Sequence, residues 1–149
     1  MNVLQIILGL FSKPDDDPLK DRIKQHEGFR LEPYTDSEGF LTVGYGRNLE
    51  STPFTRAEVD LMFETDFRRA KQGAENFHYF ESLNPARQGV LIEMVFQMGP
   101  RGVGKFTKFA QACDDGDWKE ASRQMLDSQW AKQTPDRARE LADIFERGK

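Results

Sequence analysis

The sequence predicts an α+β fold, with a small β-hairpin lobe followed by a larger helical lobe around a central buried helix. Three observations carry this. A turn-rich segment at 34–43 has β-branched and aromatic flanks, apolar residues recur at helical spacing after residue 55, and the run at 90–98 is apolar nearly all round. A chain of 149 residues forms one domain, with room for two lobes. At that size it buries roughly 70% of its extended-chain surface without covalent staples.

Taken in order, the chain opens on an apolar run at 3–11, broken by Gln5 and Gly9. The run is too short to span a bilayer, no Lys or Arg precedes it, and no small-residue cleavage site follows. The expectation is an amphipathic arm that docks on the domain or on a partner. The Asp-rich stretch 14–18 is a linker, so 1–17 is arm and linker and 18–149 the domain. Asp17 caps the first helix and Pro18 suits its first turn. Leu19, Ile23 and Glu27 lie on one face of that helix, and Gly28 ends it. Asp36 to Gly39 has turn chemistry, which makes 34–43 a hairpin. Gly44 and Gly46 flank Tyr45 and end the strand in a close approach of backbone to another group. A short connection, 47–53, leads to a long helix over 55–80, for which Thr55 and Glu58 form a capping box. Asn84-Pro85 opens the apolar helix through Val90, Leu91, Met94, Val95 and Met98. Asp117 with Glu120 caps another helix, and Thr134-Pro135 starts the last, which ends near Ile144 and Phe145.

Several classes are excluded. The 21 basic and 25 acidic residues are intermixed with a net charge of −4, so the basic stripe of a nucleic-acid binder is missing. His26 and His78 are far apart and Cys113 stands alone, so neither a zinc site nor an internal disulfide is expected, and no cofactor. Cys113 reads as a buried structural thiol.

The chemistry concentrates in 27–42. A carboxyl on an apolar helical face loses solvation in its charged form, so the pKa of Glu27 is expected to tend upward. Asp36, at the hairpin turn, stays ionised, and Thr42 returns on the second strand with a hydroxyl able to hold water. An acid and an ionised carboxylate facing each other across a cleft are what glycoside cleavage uses. Each residue has an ordinary reading of its own: a solvated helix end, a turn, a strand. Only the combination carries weight.

Glu27-Gly28-Phe29-Arg30-Leu31, Tyr34, Asp36, Glu38-Gly39 and Thr42-Val43-Gly44-Tyr45-Gly46 resemble the catalytic region of phage-type lysozymes, the endolysins of T-even type. A second block is Met94-Val95-Phe96-Gln97-Met98-Gly99 with Gly102-Val103 and Phe106-Thr107. A third is Trp130, Gln133-Thr134-Pro135 and Arg137-Ala138. The resemblance runs over 20–147. It implies hydrolysis of the β-1,4 bond between N-acetylmuramic acid and N-acetylglucosamine in peptidoglycan, with inversion. In that scheme Glu27 is the acid, Asp36 the second carboxylate, Thr42 helps place the attacking water, and Arg137 pairs with Glu27. Phe96 and Gln97 line the cleft floor, and Asn48, Phe109 and Gln124 fall at sugar-contact positions. No metal or cofactor is implied, and a monomer is expected.

Departures from the family accompany these matches. The segment after Gly46 is much shorter, Arg47 replaces a histidine, Phe109 stands where a small polar residue is common, and Glu93 where an amide is usual. Asp66 falls among Met62, Phe63 and Phe67, which makes Arg47 and Asp66 a candidate ion pair bridging the lobes. The arm at 1–17 has no counterpart and is a candidate contact to a membrane or virion partner. Without an export signal, the expected location is the host cytoplasm until a holin-type partner gives access to the wall. The net acidity, against an anionic wall, favours a site that holds neutral sugars by shape and hydrogen bonds. Two other readings compete: a wall-binding or scaffold module without turnover, and a related glycosidase or transglycosylase acting on chitin-like polymers.

Overall fold

The computed structural model describes residues 17–149, so the arm expected at 1–17 lies outside the described residues except for Asp17. The chain divides into two compact units. One ends at Arg56 and the other is Ala57–Lys149.

The first unit begins with helix α1, Pro18–Glu27, whose start follows the expected chemistry. The Asp17 side chain accepts from the Leu19 N–H at 2.9 Å, and proline occupies the first turn. Gly28, at φ +73°, ends it with its N–H on the Lys24 carbonyl. Strands β1 (Arg30–Thr35), β2 (Leu41–Gly44) and β3 (Arg47–Asn48) form an antiparallel sheet in the order β1-β2-β3. The hairpin is therefore extended by a third strand, inside the segment read from sequence as a connection. Two residues are too few to show an alternation. Arg47 braces the chain beyond β3: it donates to the carbonyls of Thr52 (3.2 Å) and Pro53 (2.9 Å) and lies 5.0 Å from the Phe54 ring centroid.

The second unit is helical. Helix α2, Arg56–Glu75, stops short of the residue 80 expected from periodicity, and the chain turns through a short 3-10 segment, Phe80–Ser82. Helix α3, Pro85–Val103, starts as expected, with the Asn84 side chain accepting from the Arg87 N–H at 3.0 Å. Gly99, at φ +70°, kinks it ahead of Pro100. Val90, Leu91, Met94 and Val95 are buried, whereas Glu93, Phe96 and Gln97 are exposed. The helix is thus central but open along one face, which corrects the expectation of burial all round.

Helices α4 (Thr107–Asp114), α5 (Trp118–Leu126), α6 (Gln129–Gln133) and α7 (Pro135–Arg147) complete the unit. On α7, Ala138, Leu141, Ala142 and Phe145 form one buried stripe at helical spacing. Phe145 meets Phe109 at 5.1 Å, and both are fully buried. The C-terminal end of α7 is held by the start of α3. Arg87 donates to the carbonyls of Phe145 (2.8 Å) and Glu146 (3.1 Å) and lies 4.2 Å from the Trp118 ring centroid. Asn84 donates to the Gly148 carbonyl at 2.9 Å. At φ +71°, Gly148 is left-handed, and a Cβ there would stand 2.9 Å from the Arg87 guanidinium carbon.

Among the described residues no helix is long and apolar enough to cross a membrane. No cluster of His, Cys, Asp and Glu among them is placed to hold a metal.

Candidate active site

Two carboxylates flank β2. At its start, the turn from Asp36 to Phe40 is closed by backbone bonds in both directions: Asp36 N–H to the Phe40 carbonyl (3.0 Å) and Gly39 N–H to the Asp36 carbonyl (3.2 Å). The Asp36 side chain is drawn into the same turn. Oδ1 accepts from the N–H groups of Phe40 and Glu38, both at 2.9 Å, and Oδ2 accepts from the Thr42 hydroxyl at 3.3 Å. The Phe40 N–H, supported by Glu38, Thr42 and Gly39, holds the carboxyl below the usual carboxylate range against a smaller opposing effect of desolvation. Asp36 is therefore an anion at neutral pH. Thr42 is buried, and its hydroxyl has one hydrogen to share between Asp36 and the Phe40 carbonyl at 3.2 Å.

Beyond the other end of β2, Gly44 (φ +68°) and Gly46 (φ +77°) fold the chain back onto the end of α1. The Tyr45 ring lies 5.1 Å from that of Phe29, with the Lys24 ammonium 5.8 Å from its centroid. A Cβ on Gly46 would stand 2.9 Å from Oε2 of Glu27, so only a glycine lets the backbone come this close to the carboxylate. The group approached by this glycine pair is Glu27.

Glu27 itself departs from expectation. No residue of α1 is buried, Leu19 and Ile23 are about half exposed (49% and 48%), and Glu27 is exposed. Burial of its carboxyl against an apolar face is absent from this unit. Asn48, half-buried at the end of β3, uses its side-chain oxygen to accept from the N–H groups of Glu50 and Ser51.

The remaining residues singled out from the sequence lie in the helical unit. Gln97 is exposed on α3, and its Oε1 accepts from Nε1 of the buried Trp130 at 2.8 Å. An indole can only donate, so the amide orientation is fixed and the NH₂ is turned outward. Trp130 was visible as part of a matching block, but its hold on Gln97 had no signal in spacing. Phe96, 44% exposed, packs against Phe63 at 5.6 Å and is both core edge and surface. Phe109 is a correction: it is fully buried, with Tyr79 and Phe106 edge-on to it and Phe145 beside it. Its ring adds to the apolar surface that this part of the core removes from water.

Gln124 donates to Glu120 at 2.7 Å. Glu120 also takes two bonds from Arg123, and these, with Gln124, hold its carboxyl down to about 2. Arg137 is exposed near the start of α7, beside an apolar recess that includes Phe63, Phe67, Ile92 and Phe96. Asp66 is exposed and pairs with Arg69 at 3.7 Å, so it needs no buried partner. Glu93 faces solvent.

The phage lysozyme family model matches residues 24–147, a span that contains both carboxylates, Thr42 and Arg137. The chain belongs to the phage lysozyme family. It is a glycoside hydrolase of the peptidoglycan-cleaving class. Probable T4-type lysozyme 2 of Dictyostelium discoideum is 31% identical, over 87% of this chain and 94% of the relative. The pre-baseplate central spike protein Gp5 of Enterobacteria phage T4 is 30% identical over 88% of this chain but only 28% of its own length. The peptidoglycan hydrolase gp36 of Pseudomonas phage phiKMV is 32% identical over 80% of this chain and 14% of the relative. The matched region thus covers nearly all of one relative and a minor part of two larger phage proteins.

Proposed function

We propose that this lysozyme hydrolyses the β-1,4 bond between N-acetylmuramic acid and N-acetylglucosamine by an inverting mechanism. Glu27 protonates the leaving oxygen, Asp36 is the base, and Thr42 helps hold the attacking water. On the helical unit the outward amide of Gln97 is a donor for sugar oxygens, with Phe96 and Gln124 as further contacts. The observation that carries the reading is the pair of carboxylates tied to one strand. Asp36 is held as an anion at the start of β2 by the Phe40 N–H first, with Glu38 and Thr42 adding to it, and Glu27 meets the Gly46 backbone just past the end of β2. The base is an anion already in place, and the acid is an exposed carboxyl against a backbone without side chain, where a sugar oxygen can reach it.

Product analysis on purified peptidoglycan tests this. Hydrolysis with inversion gives new reducing ends that appear first as the α-anomer. A β-anomer would mean retention, a 1,6-anhydro sugar transglycosylation, and binding without product a wall-binding module.

The role of Asp36 has its own test. Thr42→Val is close to isosteric at a buried position and removes one of the bonds that lower the Asp36 pKa. That pKa is expected to rise, moving the acid limb of the pH–rate profile to higher pH. A limb that stays in place would mean that Asp36 is not the group titrating there. The same bonds make Asp36 stabilising above its ordinary value of 3.8, and this contribution disappears as the pH falls through the lowered folded-state value.

A further inference from the structure

Arg30 and Tyr34 stand on β1 opposite Gly44 and Thr42 of β2, with a bulge between the two pairs. Directly opposed residues of antiparallel strands place their side chains on the same face. Gly44 and Thr42 are two residues apart on β2, so all four share one face, the face on which Thr42 meets Asp36. Gly44 adds no side chain to it, and a Cβ there would meet nothing within 4 Å. An open position thus lies between Thr42 and the turn that reaches Glu27, with Arg30 directly across from it.

The Arg30 guanidinium lies 4.5 Å from the Tyr34 ring centroid. Arg30 is exposed and Tyr34 half-buried, so the ring supports the cation from the protein side and leaves its N–H groups to solvent. Glu32 lines the same recess without pairing with it. Arg30 makes no hydrogen bond or ion pair among the described residues. A planar fork of donors, oriented but unpaired, suits a group that accepts two bonds at once, above all a carboxylate.

Such a group would otherwise be repelled. The chain carries a net charge of −4 and Asp36 is an anion on this face, so an acidic wall strand is kept away unless a cation offsets them. We infer that Arg30 is a specificity-determining residue: it takes a carboxylate of the wall strand at the open position over Gly44. That carboxylate belongs to the lactyl group of muramic acid or to the peptide attached there. The inference rests on the proposed roles of Asp36 and Glu27 and adds to them the acidic feature of the substrate that is recognised.

Kinetics of the full chain on one batch of peptidoglycan, intact and after carbodiimide-driven amidation of its carboxylates, test it. Arg30→Gln removes the charge and the fork, and Arg30→Lys keeps the charge alone. Arg22→Gln, on the exposed helix α1, removes a charge elsewhere as the control. On the intact wall Arg30→Gln is expected to lose about five- to tenfold in kcat/KM, mostly through KM. Arg30→Lys should recover part of this, and Arg22→Gln should stay near wild type. On the amidated wall Arg30→Gln and wild type should converge, with melting temperatures near wild type throughout. Wall stripped of its peptides by an amidase separates the two sources: a loss that persists there assigns the lactyl carboxylate, and one that vanishes assigns the peptide. Wild-type kinetics in Arg30→Gln, an equal loss on intact and amidated wall, or an equal loss in Arg22→Gln would overturn the inference while leaving the hydrolase reading intact. If the wild type releases no reducing ends, the hydrolase reading fails and the Arg30 role falls with it.

Discussion

Glu27→Gln is expected to lower the release of reducing ends from peptidoglycan by about a hundred- to ten-thousandfold, the usual contribution of a positioned general acid. The substitution keeps the shape of the side chain and removes the proton it would give. Glu27 is exposed on a helix with no buried residue, so the melting temperature should not move, and lost activity can be assigned to chemistry rather than folding. Gly46→Ala is the companion experiment. It adds a Cβ that would stand 2.9 Å from the Glu27 carboxylate, at a φ of +77° that suits only glycine. Activity should fall with the acid displaced, and the left-handed backbone should cost about 1 kcal/mol of stability as well. An unchanged rate in Glu27→Gln would move the acid to another residue.

Arg87→Ala is expected to produce a large loss of stability. The guanidinium bonds the carbonyls of Phe145 and Glu146 and lies over Trp118, so three elements depend on it. Charge-assisted hydrogen bonds contribute about 1.5–3 kcal/mol each and are not additive here, so a total of about 2–3 kcal/mol follows. For a chain of this size that is a drop of roughly 10 °C in melting temperature, measurable by calorimetry or circular dichroism. Arg87→Lys keeps the charge but loses the fork that reaches two carbonyls, and should recover only part of the loss. Activity of the folded fraction should be unchanged, since none of these groups touches the proposed reacting atoms. A melting temperature at the wild-type value would show that the end of α7 is held by its apolar stripe alone.

The features legible in the sequence were those with strictly local causes. Asp17, Asn84 and Asp117 cap their helices through bonds that span two or three residues. Prolines at the first turns of α1, α3 and α7 follow from a missing N–H. The capping box at Asp117 is met only on one side. Glu120 turns to Arg123 and Gln124 instead of back to the cap, because a guanidinium one turn away is the better partner. Helices α4 and α6, of eight and five residues, are too short to display a period. Their amphipathicity became visible only once their neighbours were in place.

The candidate site divides along the same line. Asp36 and Thr42 meet because the hairpin turn has the length its residues dictate. The role of the Gly44 and Gly46 pair could be anticipated, since glycine on both sides of a tyrosine implies a crowded backbone. Phe109 could not be placed by its position in the chain; its own side chain decided its location. The exposure of Glu27 also escaped a reading based on helical spacing. Leu19 and Ile23 define an apolar face, but spacing does not say whether anything covers it.

Cys113 has a consequence for how the folded chain meets oxidants. It is the only cysteine in the chain, it is 2% exposed, and burial pushes its thiol up to about 12. Almost none of it is thiolate at neutral pH, and oxidants have no path to the sulfur. Copies of the folded chain cannot cross-link through it, and no internal bridge awaits formation. The fold therefore depends on no disulfide and is insensitive, at this cysteine, to the redox potential around it.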